Sequence, residues 1–270
     1  MPSPSPLPMR VLVKGSSAVS WISWMGGPRT DFIYSRVIEE QLLADGRPCI
    51  VNTVTMPSER ASKLLNTWQQ EVLGFSPDVI VLGAYGHFEA VHLFLPRWLE
   101  RHANSEMARP RRWSMLYRKT ILRPTWMALA HLQAWVDARV NPNIRRSMPR
   151  HVAADLERYI SKVQKVGSPL VILLEFPPPS SRYSSWFPGM AARVAVMNET
   201  IAELVTRIDL PNVRFFQVNE LIDKFHDGDL DAALPDGFHY TPEMHRLIGT
   251  LLAEQIEEWA DTQPHLAVKD

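Results

Sequence analysis

The sequence holds a single cysteine, Cys49, among 270 residues. No internal disulfide can form, so packing alone must hold the fold, as suits a reducing compartment. Net charge is missing too: 29 basic side chains meet 29 acidic ones. No global charge argues for nucleic acid, and no nucleic-acid-binding motif is present. No run approaches the ~20 apolar residues that span a bilayer, so no transmembrane segment is expected. The start, Met1-Pro2-Ser3-Pro4-Ser5-Pro6-Leu7-Pro8, lacks the apolar core of a secretory signal and reads as an extended or disordered tail. A soluble, cytoplasmic protein is expected. No internal repeat is visible.

What is present is a large apolar fraction, 46% of residues, enough for a substantial core. Short apolar runs predict five strands: Arg10–Lys14, Ile50–Val54, Asp78–Gly83, Pro169–Phe176 and Asn212–Val218. Between them lie helical patterns. One starts at Thr30 or Asp31 and runs to about Ala44, with Gly46 closing it. Another runs from Ser58 to about Val72. The stretch from about Glu89 to Val166 is helix-rich. Met190–Ile208, a short segment ending at Phe225, and Pro242 to about Trp259 complete the set. Strands alternating with helices argue for a parallel sheet covered on both faces, whose sites form at the carboxyl ends of its strands. Cys49 precedes the apolar pair Ile50-Val51 and reads as a small core residue. One domain over residues 9–262 is expected, with tails at 1–8 and 263–270.

The chemistry concentrates at two distant places. Asp236-Gly237-Phe238-His239 lies just before the final helix. A carboxylate three residues before a histidine, in a turn, can orient the imidazole and stabilise its protonated form, as a general base requires. At the other end, the first strand runs directly into Gly15-Ser16-Ser17. A nucleophile at the tip of the first strand then faces an Asp/His pair before the last helix. The plainer readings are that Ser17 is a small turn residue and that His239 is a capping or buried histidine beside Thr241. Glu175, at the end of the fourth strand, can contact substrate or pair with an arginine such as Arg182. His87 and His92 have no third ligand nearby, so no metal or organic cofactor is implied.

The order of these features resembles the SGNH hydrolases, also called the GDSL esterase/lipase family. That family's first block, Gly-Asp-Ser, corresponds to Gly15-Ser16-Ser17, and its last, Asp-x-x-His, to Asp236 and His239. Its third block, Gly-x-Asn, reads Gly83-Ala84-Tyr85, with a tyrosine in place of the asparagine. The second block supplies a glycine, but Asn52-Thr53-Val54-Thr55-Met56-Pro57-Ser58 has none. The resemblance covers roughly residues 9–87 and 167–260. It implies a flavodoxin-like three-layer α/β/α sandwich with a five-stranded parallel sheet and a helical insertion between strands 3 and 4. It also implies a serine acyl hydrolase of esterase or thioesterase type, with Ser17 as nucleophile, His239 as base and Asp236 as its orienter. In the family the nucleophile N–H, the second-block glycine and the third-block asparagine bind the oxyanion. Substitutes here are Tyr85, the Ser58 N–H, His87 and Arg60 beside Gly83; Pro57 has no N–H to offer. Acyl transfer by the same triad is the alternative within enzymes. A non-catalytic binding protein on a decayed hydrolase fold is the alternative outside them.

The insertion, about residues 97–150, is the second informative feature. From Arg97 to Arg150 it holds eleven arginines and one lysine against Glu100, Glu106 and Asp137. It also carries Trp98, Trp113, Trp126 and Trp135. Since the whole chain is neutral, the remainder is acidic. Such polarity predicts an anionic partner, either an acidic acyl-carrier protein or anionic lipid, or a lid over an acyl pocket. The bland reading is a helical subdomain with solvated arginines and core tryptophans.

Overall fold

Apolar runs ending in glycine build the centre of the sheet. The computed structural model describes residues 7–20, 32–56, 60–83, 112–139, 142–184 and 188–266. Strand β1 (Met9–Gly15), β2 (Cys49–Thr55), β3 (Val79–Gly83), β4 (Leu170–Leu174) and β5 (Val213–Phe216) pair entirely in parallel. Their order is β2-β1-β3-β4-β5. Every residue of β3 and β4 is buried, because helices cover both faces. The chain leaves β1 toward β2 and then crosses to β3 on the other side. That reversal opens a crevice at the carboxyl ends of β1 and β3, the usual place for a ligand in such sheets.

The helices cover the sheet with buried stripes at helical spacing. Helix α1 (Tyr34–Ala44) buries Tyr34, Ile38 and Leu42 and packs beside the last helix, α10 (Pro242–Asp261). Helix α2 (Lys63–Trp68) continues through a π-helical turn, Gln69–Leu73. Within the insertion, α3 (Arg112–Tyr117) passes through a second π-helical turn, Arg118–Leu122, into α4 (Arg123–Arg139). Leu122, Trp126 and Ala130, four apart, are its buried side. Helix α5 (Pro142–Gln164) follows, with Pro149 inside it. After β4 come α6 (Ser181–Ser184) and α7 (Met190–Ile208). After β5 come α8 (Val218–His226) and α9 (Leu230–Ala233). The result is a three-layer α/β/α sandwich with five parallel strands and a helical insertion between β3 and β4, as the sequence predicts.

Several boundaries differ for identifiable reasons. The fourth strand stops at Leu174, not Phe176. Asn198 of α7 takes both backbone groups of Phe176, accepting from its N–H at 2.9 Å and donating to its carbonyl at 2.8 Å. Helix α2 begins at Lys63 rather than Ser58, and Ser58 lies outside the described residues. The expected caps Thr30 and Asp31 also lie outside them; Ile33 occupies the cap of α1 without a side-chain bond. Neither π-helical turn nor the short helices α6 and α9 had a sequence signal. Cys49 is buried, and burial with the nearby Glu39 charge pushes its thiol up to about 11. Among the described residues no helix is long and apolar enough to cross a membrane.

Candidate active site

Two glycines let β1 and β3 meet closely enough to form the nucleophile turn. Gly15 and Gly83 are register partners. A Cβ on Gly15 would lie 2.0 Å from the Gly83 carbonyl oxygen, and one on Gly83 would lie 2.1 Å from Tyr34 Oη. The Ser16 N–H then donates to the Gly83 carbonyl at 3.2 Å, and the Met56 N–H to the Gly15 carbonyl at 2.8 Å. Ser16 caps a single 3-10 turn, Ser17–Val19, its hydroxyl accepting from the Ala18 N–H at 3.4 Å. That contact turns Ser16 inward, where it is buried. Ser17, the first residue of the turn, stays half-buried with its hydroxyl 3.0 Å from His239 Nε2. The geometry therefore distinguishes the two serines.

The partner loop is built by its own sequence. Gly237 has φ of 97°, a conformation that side chains rarely adopt, and its N–H donates to the Leu234 carbonyl at 2.7 Å. This curls the chain so that Asp236 Oδ1 accepts from the Phe238 N–H at 3.0 Å and the His239 N–H at 2.8 Å. Asp236 Oδ2 lies 2.8 Å from His239 Nδ1. One oxygen shapes the turn and the other aims the ring. An ionised carboxylate only accepts, so Nδ1 carries the proton and Nε2 presents its lone pair to Ser17. Burial pushes the Asp236 carboxyl upward. The ring bond, the His239 N–H and charge, and the Phe238 N–H together outweigh it and hold the group below the usual aspartate range. Asp236 therefore stays ionised at neutral pH.

The loop is clamped from outside. Thr241 caps α10 by accepting from the Met244 N–H at 3.1 Å, so His239 sits just ahead of a fixed helix start. Asp229 caps α9, accepting from the Asp231 and Ala232 N–H groups. Asp231 in turn receives the Ser181 N–H at 3.0 Å and the Ser181 hydroxyl, and the Ser180 N–H donates to the Gly237 carbonyl at 3.3 Å. Behind the site, fully buried His245 of α10 accepts the Tyr34 N–H on Nδ1 at 3.2 Å. Its ring stacks on Tyr34 and meets Tyr240 edge-on. Of these supports the sequence showed only Thr241 as a cap. Asn198, which holds Phe176, was also within reach: it falls on the buried stripe of α7 between Val194 and Ile201, where a lone polar residue signals a specific partner.

Gly83 backs directly onto the serine turn. Tyr85, Ser58 and His87 lie outside the described residues, as does His92. Arg60 is exposed, and its carbonyl accepts from the Lys63 N–H. Glu175 is used internally rather than left open: Oε2 accepts the Asn219 N–H at 2.8 Å at the start of α8, and Oε1 receives Asn198 at 3.3 Å. Burial raises its carboxyl, with the Asn219 bonds opposing. Among the described residues no group of three or more His, Cys, Asp or Glu is arranged to hold a metal ion.

The fold that brings Ser17 within 3.0 Å of His239 has counterparts among solved structures. A lipase/acylhydrolase from Enterococcus faecalis superposes with a TM-score of 0.58 at 15% identity, over 93% of this chain and 96% of that one. The fold is that of the GDSL lipases and acylhydrolases. An aryl esterase from M. smegmatis matches with a TM-score of 0.53 at 15% identity, covering 93% of this chain and 99% of its own. A carbohydrate acetylesterase from Sinorhizobium meliloti gives 0.52 at 14% identity, with the same coverage. No protein-family model and no curated protein matches the sequence. The GDSL-type likeness thus lives in the fold and in a few residues, not in overall identity.

Proposed function

We propose that this chain is a serine acyl hydrolase that cleaves an ester or thioester through a Ser17–His239–Asp236 triad. The observation that carries the reading is the continuous chain from Ser17 Oγ to His239 Nε2 at 3.0 Å and from Nδ1 to Asp236 Oδ2 at 2.8 Å. In the reaction, Ser17 Oγ bonds to the acyl carbon as its proton passes to Nε2. The imidazolium, stabilised by Asp236, then returns that proton to the departing alcohol or thiol as the bond to the acyl carbon breaks. The acyl group remains on Ser17. His239 next takes a proton from water as the water oxygen bonds to the acyl carbon, and returns it to Ser17 Oγ as the bond from Oγ to that carbon breaks, releasing the acid. An acceptor alcohol or amine can take the place of water, which would make the same site an acyltransferase. The oxyanion needs donors aimed at it. In this reading the Ser17 N–H and the Tyr85 hydroxyl supply two of them.

The solved structures named above are described as a lipase/acylhydrolase, an aryl esterase and a carbohydrate acetylesterase. What they share is the ester, and that shared bond is the substrate class proposed here. The test is labelling by a serine-directed fluorophosphonate, located by mass spectrometry, beside turnover of a small aryl ester. Labelling at Ser17 and loss of both signals in Ser17→Ala are expected. Ser16→Ala should keep most activity, because Ser16 faces inward as a cap. Full turnover by Ser17→Ala would end the serine mechanism.

A further inference from the structure

The insertion divides its tryptophans between two roles. Trp126 is buried, whereas Trp113 is 82% exposed and Trp135 is 53% exposed. With them, Leu116, Tyr117, Ile121 and Leu132 also face solvent. They fall in two groups, Trp113, Leu116, Tyr117 and Ile121 in the first and Leu132 and Trp135 in the second, separated by exposed Pro124, Thr125, Ala128 and His131. Ordinary surfaces scatter single apolar residues, while grouped ones mark an interaction face. Both groups lie on one near-continuous helical arm, α3 to α4.

Charge points to what covers it. From Arg112 to Val136 the sequence has no Asp or Glu, while it carries Arg112, Arg118, Lys119 and Arg123. Lys119 and Arg139 are exposed. The Arg139 guanidinium sits over the Trp135 ring, 4.4 Å from its centre. Exposed aromatic and aliphatic groups on a helical arm where Asp137 is the one acid against Arg112, Arg118, Lys119, Arg123 and Arg139 are the pattern of a helix that lies in a membrane interface. The apolar residues enter the acyl boundary while the cations meet anionic headgroups. A compact acidic protein would need pockets matched to two separated apolar groups, whereas a bilayer surface accepts them without any.

The arm is also placed usefully. Ala134 of α4 lies beside Gly189, at the start of α7. In a parallel sheet, the helix following a strand begins at the carboxyl end of that strand. This end of the sheet also carries Ser17 and His239.

We infer that the α3–α4 arm docks the protein on an anionic lipid surface, with Trp113, Leu132 and Trp135 inserted and Lys119 and Arg139 against headgroups. This does not depend on the chemistry at Ser17. The test is co-sedimentation of the full chain with vesicles of phosphatidylcholine alone and of phosphatidylcholine mixed with phosphatidylglycerol. Wild type should bind the mixed vesicles, and added salt should weaken that binding. Each cation at such a surface is worth about fivefold in binding. Lys119→Glu with Arg139→Glu should therefore lower affinity by roughly 30-fold or more. A Trp113→Ser, Leu132→Ser, Trp135→Ser variant should lose at least about tenfold. Both variants should turn over a small soluble ester like wild type, since none of these residues touches the triad. If the triple variant misfolds, Trp113→Ser and Trp135→Ser are measured singly. Absence of wild-type binding to mixed vesicles, or equal binding by the variants, would overturn the inference. So would a dimer in sedimentation velocity that the apolar substitutions dissociate, since a second copy would then cover these groups. Binding to polyglutamate without binding to vesicles would assign the face to an acidic protein instead.

Discussion

Replacing Asp236 by asparagine isolates the orienting role of the carboxylate, because the structure dictates how the amide must sit. Oδ1 accepts two backbone N–H groups, at 2.8 and 3.0 Å. An amide NH₂ in that position would face two donors, so the amide oxygen must occupy it. The NH₂ then takes the place of Oδ2, 2.8 Å from His239 Nδ1 in the native geometry. It donates to Nδ1, which must therefore be the unprotonated nitrogen. The ring proton moves to Nε2 and points at Ser17, which loses its base. Inverting the tautomer in this way costs about 10⁴ in kcat. KM should change little, since Asp236 has no role in holding the acyl group. The assay is steady-state turnover of an aryl ester, with circular dichroism to show an intact fold. Wild-type kcat in Asp236→Asn would refute the geometry-based reasoning.

The same residue gives a stability prediction with a definite sign. The folded Asp236 carboxyl titrates below its usual range. The unfolded chain, with ordinary aspartate near ~3.9, therefore takes up a proton first as pH falls. The stabilisation is complete above that range and is lost as pH drops through the lowered folded value. Asparagine does not titrate. The stability gap between wild type and Asp236→Asn, measured by urea melts, should shrink on acidification. A gap that widens would show that Asp236 is not the ionised partner of His239.

Two further changes test the remaining parts. Tyr85→Phe should cut kcat by about 10²-fold with KM nearly unchanged if the phenol binds the oxyanion, and an unchanged kcat would eliminate that donor. Lys14→Met should destabilise the fold by about 3–5 kcal/mol in denaturant melts, because it strands a carboxylate that is now paired inside the protein. Adding Glu71→Leu should recover most of that loss, and no recovery would mean the pair is not the cause.

Much of the fold was legible because its signals are local. Short apolar runs gave all five strands, those of β1 and β3 closed by glycine, and helix α7 was read at Met190–Ile208 as observed. The two halves of the proposed triad were equally local. A serine at a strand tip and an Asp-x-x-His turn are each encoded within four residues, and right-handed parallel topology brings such strand ends together. What was illegible depends on contacts between distant positions. Lys14 looked like the polar end of a strand. It is fully buried, donating to Thr67 Oγ1 at 2.6 Å and to the Glu71 carboxylate, 53 and 57 residues away. His245 and Tyr34 meet across 211 residues. Nothing in the neighbourhood of either residue names its partner.

The altered family blocks separate two kinds of constraint. Gly83 answers a steric one. Its carbonyl must receive the Ser16 N–H, and Tyr34 Oη fills the space where any side chain would go. No other residue satisfies that without moving α1, and the glycine is present. The third position of the same block answers a chemical constraint instead: a donor must reach the oxyanion. Chemistry can be met by a different group placed from the same or another backbone position, as a phenol can stand in for an amide. A steric requirement leaves one residue type, whereas a donor requirement leaves several. This is why Gly83 fits the motif while Tyr85 does not, and why the departure at Tyr85 is weak evidence against catalysis. The Ser17–His239–Asp236 arrangement obeys both constraints at once, since its turn needs Gly237 at positive φ and its ring needs an ionised partner. In the proposed reading Oδ1 of Asp236 answers the steric constraint by shaping the turn, and Oδ2 answers the chemical one by holding Nδ1.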